Sequence, residues 1–136
     1  MKLLIFIFFT ISQFVYASPE DNSLGISIGS PTALTGRYRF HNHILFASIG
    51  DGHISLDYSY KHLNLQKIDD TYLYYGVGLI SKKHGGDSGY GPRIFGDLSH
   101  DLNPYFEVFA KSAFSILLYD KTSNYLDLAI GARYRF

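Results

Sequence analysis

The last eleven residues, Leu126 to Phe136, constrain the fold more than any other stretch. Positions 126, 128, 130, 132, 134 and 136 are Leu, Leu, Ile, Ala, Tyr and Phe, and between them lie Asp127, Ala129, Gly131, Arg133 and Arg135. A two-residue period of this kind makes a β-strand with one apolar and one polar face. A free terminus frays unless something holds it. What has to be explained is the apolar medium that such a strand faces.

The same period fills the chain from Leu24 onward, and no stretch shows a helical one. In "HISLDYSYK", Ile54, Leu56, Tyr58 and Tyr60 oppose His53, Ser55, Asp57, Ser59 and Lys61. In "ALTGRYRF", Leu34, Tyr38 and Phe40 oppose Thr35, Arg37 and Arg39. The pattern predicts eight strands, at 24–30, 33–40, 44–50, 53–61, 71–80, 90–99, 105–115 and 124–136. The connections at 30–32, 41–43, 51–52 and 100–104 are short enough only for antiparallel neighbours, with Asp51-Gly52 the strongest hairpin signal. Longer loops are expected at 62–70, 81–89 and 117–123. The fold class that follows is all-β: a single up-and-down antiparallel barrel of eight strands.

Residues 1–17 stand apart. Lys2 precedes the apolar run "LLIFIFFTISQFV", and "VYA" places permissive residues before Ser18. This reads as a secretory signal cleaved after Ala17, with the barrel domain spanning 18–136. Past it, no apolar run reaches the roughly 20 residues of a helical span. The chain has no Cys, so no disulfide framework supports it. Twelve basic residues balance twelve acidic ones, which leaves no polybasic footprint for nucleic acid.

A soluble barrel would turn its apolar faces inward, and a membrane barrel turns them outward. Size favours the second. Gly25, Ser27, Gly29, Gly76, Gly78, Ala129 and Gly131 share the polar faces, and bulky aliphatic and aromatic residues fill the others. An eight-stranded barrel has an interior only wide enough for side chains. The polar-face charges are of mixed sign, which lets them pair inside: Arg37, Arg39, Asp57, Arg93, Asp97, Glu107, Lys111, Asp127 and Arg133, with Lys61 and Arg135 beside them. Tyr38, Tyr58, Tyr60, Tyr75, Tyr90, Tyr125 and Tyr134 fall near strand ends, as interfacial girdles require. The transmembrane reading gives Leu128, Ile130, Tyr134 and Phe136 a lipid face.

A terminal aromatic preceded by apolar residues at every second place resembles the C-terminal assembly signal of bacterial outer-membrane β-barrels. More widely, the chain resembles the OmpA-like size class of eight-stranded barrels and a family of short outer-membrane barrel proteins. The resemblance lies in "IGSPTALTGRY" (28–38), "GPRIFGD" (91–97), "FEVFAKSAF" (106–114) and "GARYRF" (131–136). It departs from that family at Lys111, where a glutamate is usual, and at Phe95 and Phe114, where prolines are. The resemblance implies an outer-membrane location and membrane lipids as surroundings. It also implies recognition of the last strand by the barrel-insertion machinery, periplasmic termini, and outward loops near 30–32, 51–52, 81–89 and 117–123.

Three motifs invite chemistry. His53, Ser55 and Asp57 share one strand face, and a His-x-Ser pair resembles the outer-membrane lipid A deacylases, with Ser55 as nucleophile and His53 as base. Such a site must face lipid, however, and this face reads as lumen. "GGDSG" (85–89) echoes a protease nucleophile loop in a chain far too small for that fold. "HNH" (41–43) offers two imidazoles where a metal needs three or four ligands. No metal or cofactor is therefore expected. The leading expectation is a small barrel with a structural or interaction role. The alternatives are a lipid-modifying hydrolase and a soluble secreted barrel that binds a small apolar ligand.

Overall fold

The computed structural model describes residues 22–30, 32–50, 52–59, 62–64, 70–84, 87–118 and 122–136. The expected leader lies outside them, as do Tyr60 and Lys61. Nine strand segments follow in order: β1 Ser23–Ser30, β2 Ala33–Phe40, β3 His43–Gly50, β4 His53–Ser59, β5 His62–Asn64, β6 Thr71–His84, β7 Asp87–Asp101, β8 Phe106–Leu118 and β9 Thr122–Arg135. All pairings are antiparallel; successive strands pair, except that β4 and β5 both pair with β6, and β9 closes onto β1 from Ser23↔Arg135 to Ser30↔Leu128.

β4 and β5 are one stave of an eight-stranded barrel. Both pair with β6, and the register slips by one between them, from Tyr58↔Val77 to His62↔Tyr74.

The eight expected strands are all present, but four reach farther. β6 runs on to His84, β7 spans 87–101, β8 continues to Leu118 and β9 begins at Thr122. The expected loops 81–89 and 117–123 are therefore mostly strand. Their polar composition suggested loops, yet Ser81↔Tyr90, Lys82↔Gly89 and Lys83↔Ser88 pair through backbone, which is indifferent to side-chain polarity. The "GGDSG" segment loses its loop in the same way, since Asp87, Ser88 and Gly89 belong to β7. β6–β9 thus exceed the roughly 9–11 residues that a tilted transmembrane strand needs, whereas β1–β3 keep eight each.

One end of the barrel is bound into a common rim. Phe136 N donates to Asn22 O at 3.0 Å, Arg39 N to Asn22 Oδ1 at 3.1 Å, Arg135 N to Tyr105 O at 2.7 Å and Asp101 N to Asp70 O at 2.9 Å. The terminal strand is held on both sides up to its last residue. The tight 41–42 turn at this rim places His41 at φ 56°, in the left-handed region.

The faces are inverted relative to a soluble protein. Outward residues are apolar: Ile28 is 66 % exposed, Leu79 66 %, Ile130 67 % and Leu126 62 %. Inward residues are largely polar, with Asp97 and Glu107 fully buried and Arg133 1 % exposed.

Candidate functional site

The chemistry of this protein is concentrated in its lumen, where alternate residues of every long strand converge. Nearest the common rim, Glu107 on β8 sits at the centre of an ion-pair cluster. Arg37 on β2 meets it through two parallel bonds, Nη1 to Oε1 and Nη2 to Oε2, each 3.0 Å. Arg133 on β9 donates to Glu107 Oε1 at 3.0 Å and to Asp97 Oδ2 at 2.6 Å. Arg135 completes the group, reaching Glu107 Oε2 at 3.1 Å and Asp101 Oδ1 at 2.5 Å. Three guanidiniums thus face three carboxylates. Bidentate guanidinium–carboxylate pairs are the geometry in which a buried charge is best satisfied.

A second cluster lies farther from the rim. Asp57 on β4 accepts from Arg93 Nε at 2.6 Å and Nη2 at 2.5 Å, and from Lys111 Nζ at 2.6 Å. Arg93 also approaches Asp127 Oδ2 at 3.8 Å, and Lys82 Nζ lies 3.5 Å from Asp127 Oδ1. Ser30 Oγ donates to that same oxygen at 3.4 Å.

Aromatic rings are stacked between and around these charges. Phe46 meets Tyr74 and Phe95 edge-on, each at 5.4 Å between centroids. Arg133 lies 3.6 Å above Phe109, Lys111 4.9 Å from Phe95, and Arg37 5.2 Å from Tyr74. Cations over ring faces add attraction in such a desolvated place. Two lumen glycines leave room for this filling. A Cβ at Gly131 would strike the Phe109 ring, and one at Gly78 would strike the Asp57 carboxylate. A small cavity of about 20 Å³ remains among Thr35, Ser48, His53, Arg93, Phe109 and Asp127.

Of the lumen residues expected from sequence, Arg37, Asp57, Arg93, Asp97, Glu107, Lys111, Asp127 and Arg133 come together here. Arg39 is placed at the rim instead, where Nε donates to the His41 carbonyl at 3.3 Å. Lys82 and Asp101 were missed, because their segments read as loop and turn. Tyr125 was assigned to a lipid-facing girdle, but it lies on the inward face of β9 with Lys82 4.5 Å over its ring. The aromatic layer was also underestimated. Phe95 stands two residues from both Arg93 and Asp97 on β7, so the period already placed it inside.

His53, Ser55 and Asp57 all point inward and are buried. Ser55 Oγ makes no hydrogen bond, nor does His53 Nδ1. Both Asp57 oxygens are engaged by Arg93 and Lys111. The arrangement lacks both the nucleophile–base contact and the orienting acid that serine chemistry requires. Among the described residues, no group of three His, Cys, Asp or Glu is placed to hold a metal.

The outward face has its own order. Tyr38, Phe40, His43 and Tyr58 form a chain of ring contacts 5.2 to 5.9 Å apart, with His43 Nδ1 2.6 Å from Tyr58 Oη. Tyr134 stacks on Tyr105 at 6.4 Å and meets Phe106 edge-on at 5.3 Å. Both groups flank turns of the common rim, at 41–42 and 102–105. Aromatic rings at a barrel rim, below an apolar band, are the pattern of a lipid–water interface.

A closed eight-stranded barrel, apolar outside and ionic inside, is the architecture of small outer-membrane barrels. Comparison with solved structures agrees. The chain matches the backbone structure of the Yersinia pestis outer membrane protein Ail, solved in a phospholipid bilayer nanodisc, with a TM-score of 0.50 and 16 % identity over 85 % of this chain and 97 % of that one. At that identity the likeness is one of fold. No protein-family description matches the chain, and no curated protein does.

Proposed function

We propose that this chain is a small integral protein of a bacterial outer membrane, exported by a leader cleaved after Ala17. Its role is structural or interactive. One observation carries the reading: among the described residues the lumen ion pairs are internal, while the outward face is predominantly apolar from Leu24 to Tyr134. Such a surface in water would be an aggregation liability. In hydrocarbon it is the only stable choice, because closing the sheet satisfies every strand edge. Fold likeness to a membrane-embedded barrel supports the same reading.

The lumen is packed with side chains, so solute diffusion is not its task. The common rim, which carries both termini of the barrel, faces the periplasm. The β6–β7 and β8–β9 hairpins extend outward and are the parts available to partners. The last strand, with Leu128, Ile130, Tyr134 and Phe136, is the segment read by the insertion machinery.

The test is electrophoretic migration of the outer-membrane fraction with and without boiling. A faster unboiled band, extracted only with detergent, is expected. A soluble periplasmic protein with no shift would reject the reading.

A further inference from the structure

The barrel wall is not the same height all round, and the difference falls on one leaflet. β1 to β4 have seven or eight residues each, the β4 stave continuing as β5 only toward the common rim, and the connections at 31–32, 41–42 and 51–52 are two residues long. β6 to β9 have thirteen to fifteen. Each residue of a tilted strand rises about 2.5 Å along the barrel axis, from a rise of ~3.3 Å and a tilt of ~40°. On the low wall, Leu34 stands six residues above Phe40, and Ile49 six above His43. That gives an outward apolar band of about 15 Å. On the high wall, Leu118 stands twelve residues above Phe106, and Leu126 eight above Tyr134. There the band is about 20–30 Å, against the ~25 Å usual for outer-membrane barrels.

Both walls are anchored at the same end. The Tyr38–Phe40–His43–Tyr58 group and the Tyr105–Phe106–Tyr134 group flank turns of the common rim, and hydrogen bonds between neighbouring strand ends tie that rim together. The shortfall therefore lies at the opposite end of β1–β4. In a bilayer of ordinary thickness, the turn ends at Ser30 and Thr32 and at Gly50 and Gly52 would sit in hydrocarbon, where turn backbone groups are expensive. Lys83, exposed and outward, would sit there too: its N donates to the Gly52 carbonyl at 2.7 Å, which places it beside that turn.

We propose that the β1–β4 wall thins the outer leaflet beside it, so that lipid headgroups descend to the level of these two turns. The inference rests on the outer-membrane reading above. It adds a local activity to that reading: a one-sided perturbation of bilayer thickness. Leaflet deformation is one of the recognised answers to a short apolar span, and its cost is modest per ångström.

The chain has no Cys, so single spin labels are straightforward. Labels go on Leu34→Cys, Ile49→Cys, Ser112→Cys and Leu118→Cys, refolded into dioleoylphosphatidylcholine vesicles, with the heat-modifiable shift as the check on folding. The ratio of oxygen to nickel-chelate collision rates reports depth. Ile49 and Ser112 are each six residues above the first residue of their strands, His43 and Phe106, so uniform thickness predicts equal ratios. Thinning predicts a ratio several-fold lower at Leu34 and Ile49 than at Ser112, with Leu118 near the bilayer surface. Equal ratios at Ile49 and Ser112 overturn the thinning and leave the membrane reading intact. A Leu118 label fully in water beside a shallow Ile49 also overturns it, because the bilayer would then be thin all round. Nickel access at all four sites would reject the membrane reading itself. Ile54→Cys, paired with Ile49 across the hairpin, replaces Ile49→Cys if that variant does not refold.

Discussion

Arg93 and Asp57 meet side-on in the barrel interior, with Nε 2.6 Å from Oδ1 and Nη2 2.5 Å from Oδ2. Lys111 shares that carboxylate at 2.6 Å. Asp57 is therefore the anion that keeps two buried cations satisfied. Asp57→Ala is expected to destabilise the barrel by about 3–5 kcal/mol, because it strips Lys111 of its carboxylate and leaves Arg93 only the 3.8 Å approach to Asp127. The triple variant Asp57→Leu, Arg93→Met, Lys111→Met should regain most of that loss. Urea unfolding in detergent micelles measures both.

Gly131 and Gly96 give a paired test of lumen packing. A Cβ at Gly131 would strike the Ile26 backbone oxygen and come 2.6 Å from Phe109 Cζ, whereas one at Gly96 meets nothing within 4 Å. Gly131→Ala is expected to cost about 1–3 kcal/mol through overpacking. Gly96→Ala should be neutral, or stabilising by up to about 1 kcal/mol, because it restricts the unfolded chain. Equal effects at the two sites would contradict the inward and outward assignments.

Ile130 is 67 % exposed at mid-height on β9, and Thr122 begins the same strand. If the outside is lipid, Ile130→Arg should cost about 2–4 kcal/mol and Thr122→Arg about 0–1 kcal/mol. Refolding titrations into phospholipid vesicles would show this depth dependence. Uniformly small effects would point to a wet surface.

Phe136 closes the rim, its amide donating to Asn22 at 3.0 Å. Removing its side chain in Phe136→Ser should lower the amount of folded protein in the outer membrane. Refolding in detergent should change by no more than the roughly 1 kcal/mol expected for a half-buried side chain. A loss seen only in cells separates an assembly signal from a stability effect.

Ser55 is buried with an unpartnered hydroxyl. Ser55→Ala should leave stability unchanged or slightly raised, since no bond is lost. Lipid A acylation, read by mass spectrometry, should also be unchanged. A change in acylation with folding intact would restore the hydrolase reading.

The two-residue period was enough to read the strands, their antiparallel order and the inversion of faces. Period 2 assigns each side chain to one side of a closed sheet, and the positions of Arg37, Asp57, Glu107 and Arg133 followed from it. The sequence could not say which charges pair, because partners such as Arg37 and Glu107 are 70 positions apart and meet only through closure. Nor could it place Lys82 or Asp101. Tyr125 shares the face of Asp127 by the same period, and only its strand-end position suggested a girdle. Lys82 and Asp101 lie where strands extend past the expected segments, and backbone pairing there carries no hydrophobic signature. The unequal walls have the same origin. Two-residue turns after Ser30 and Gly50 were legible one by one, but only the registers that lash β1 to β9 and β4 to β6 put a short wall beside a tall one. Local pattern determined which way each side chain points, and the closed hydrogen-bonded ring decided what it meets.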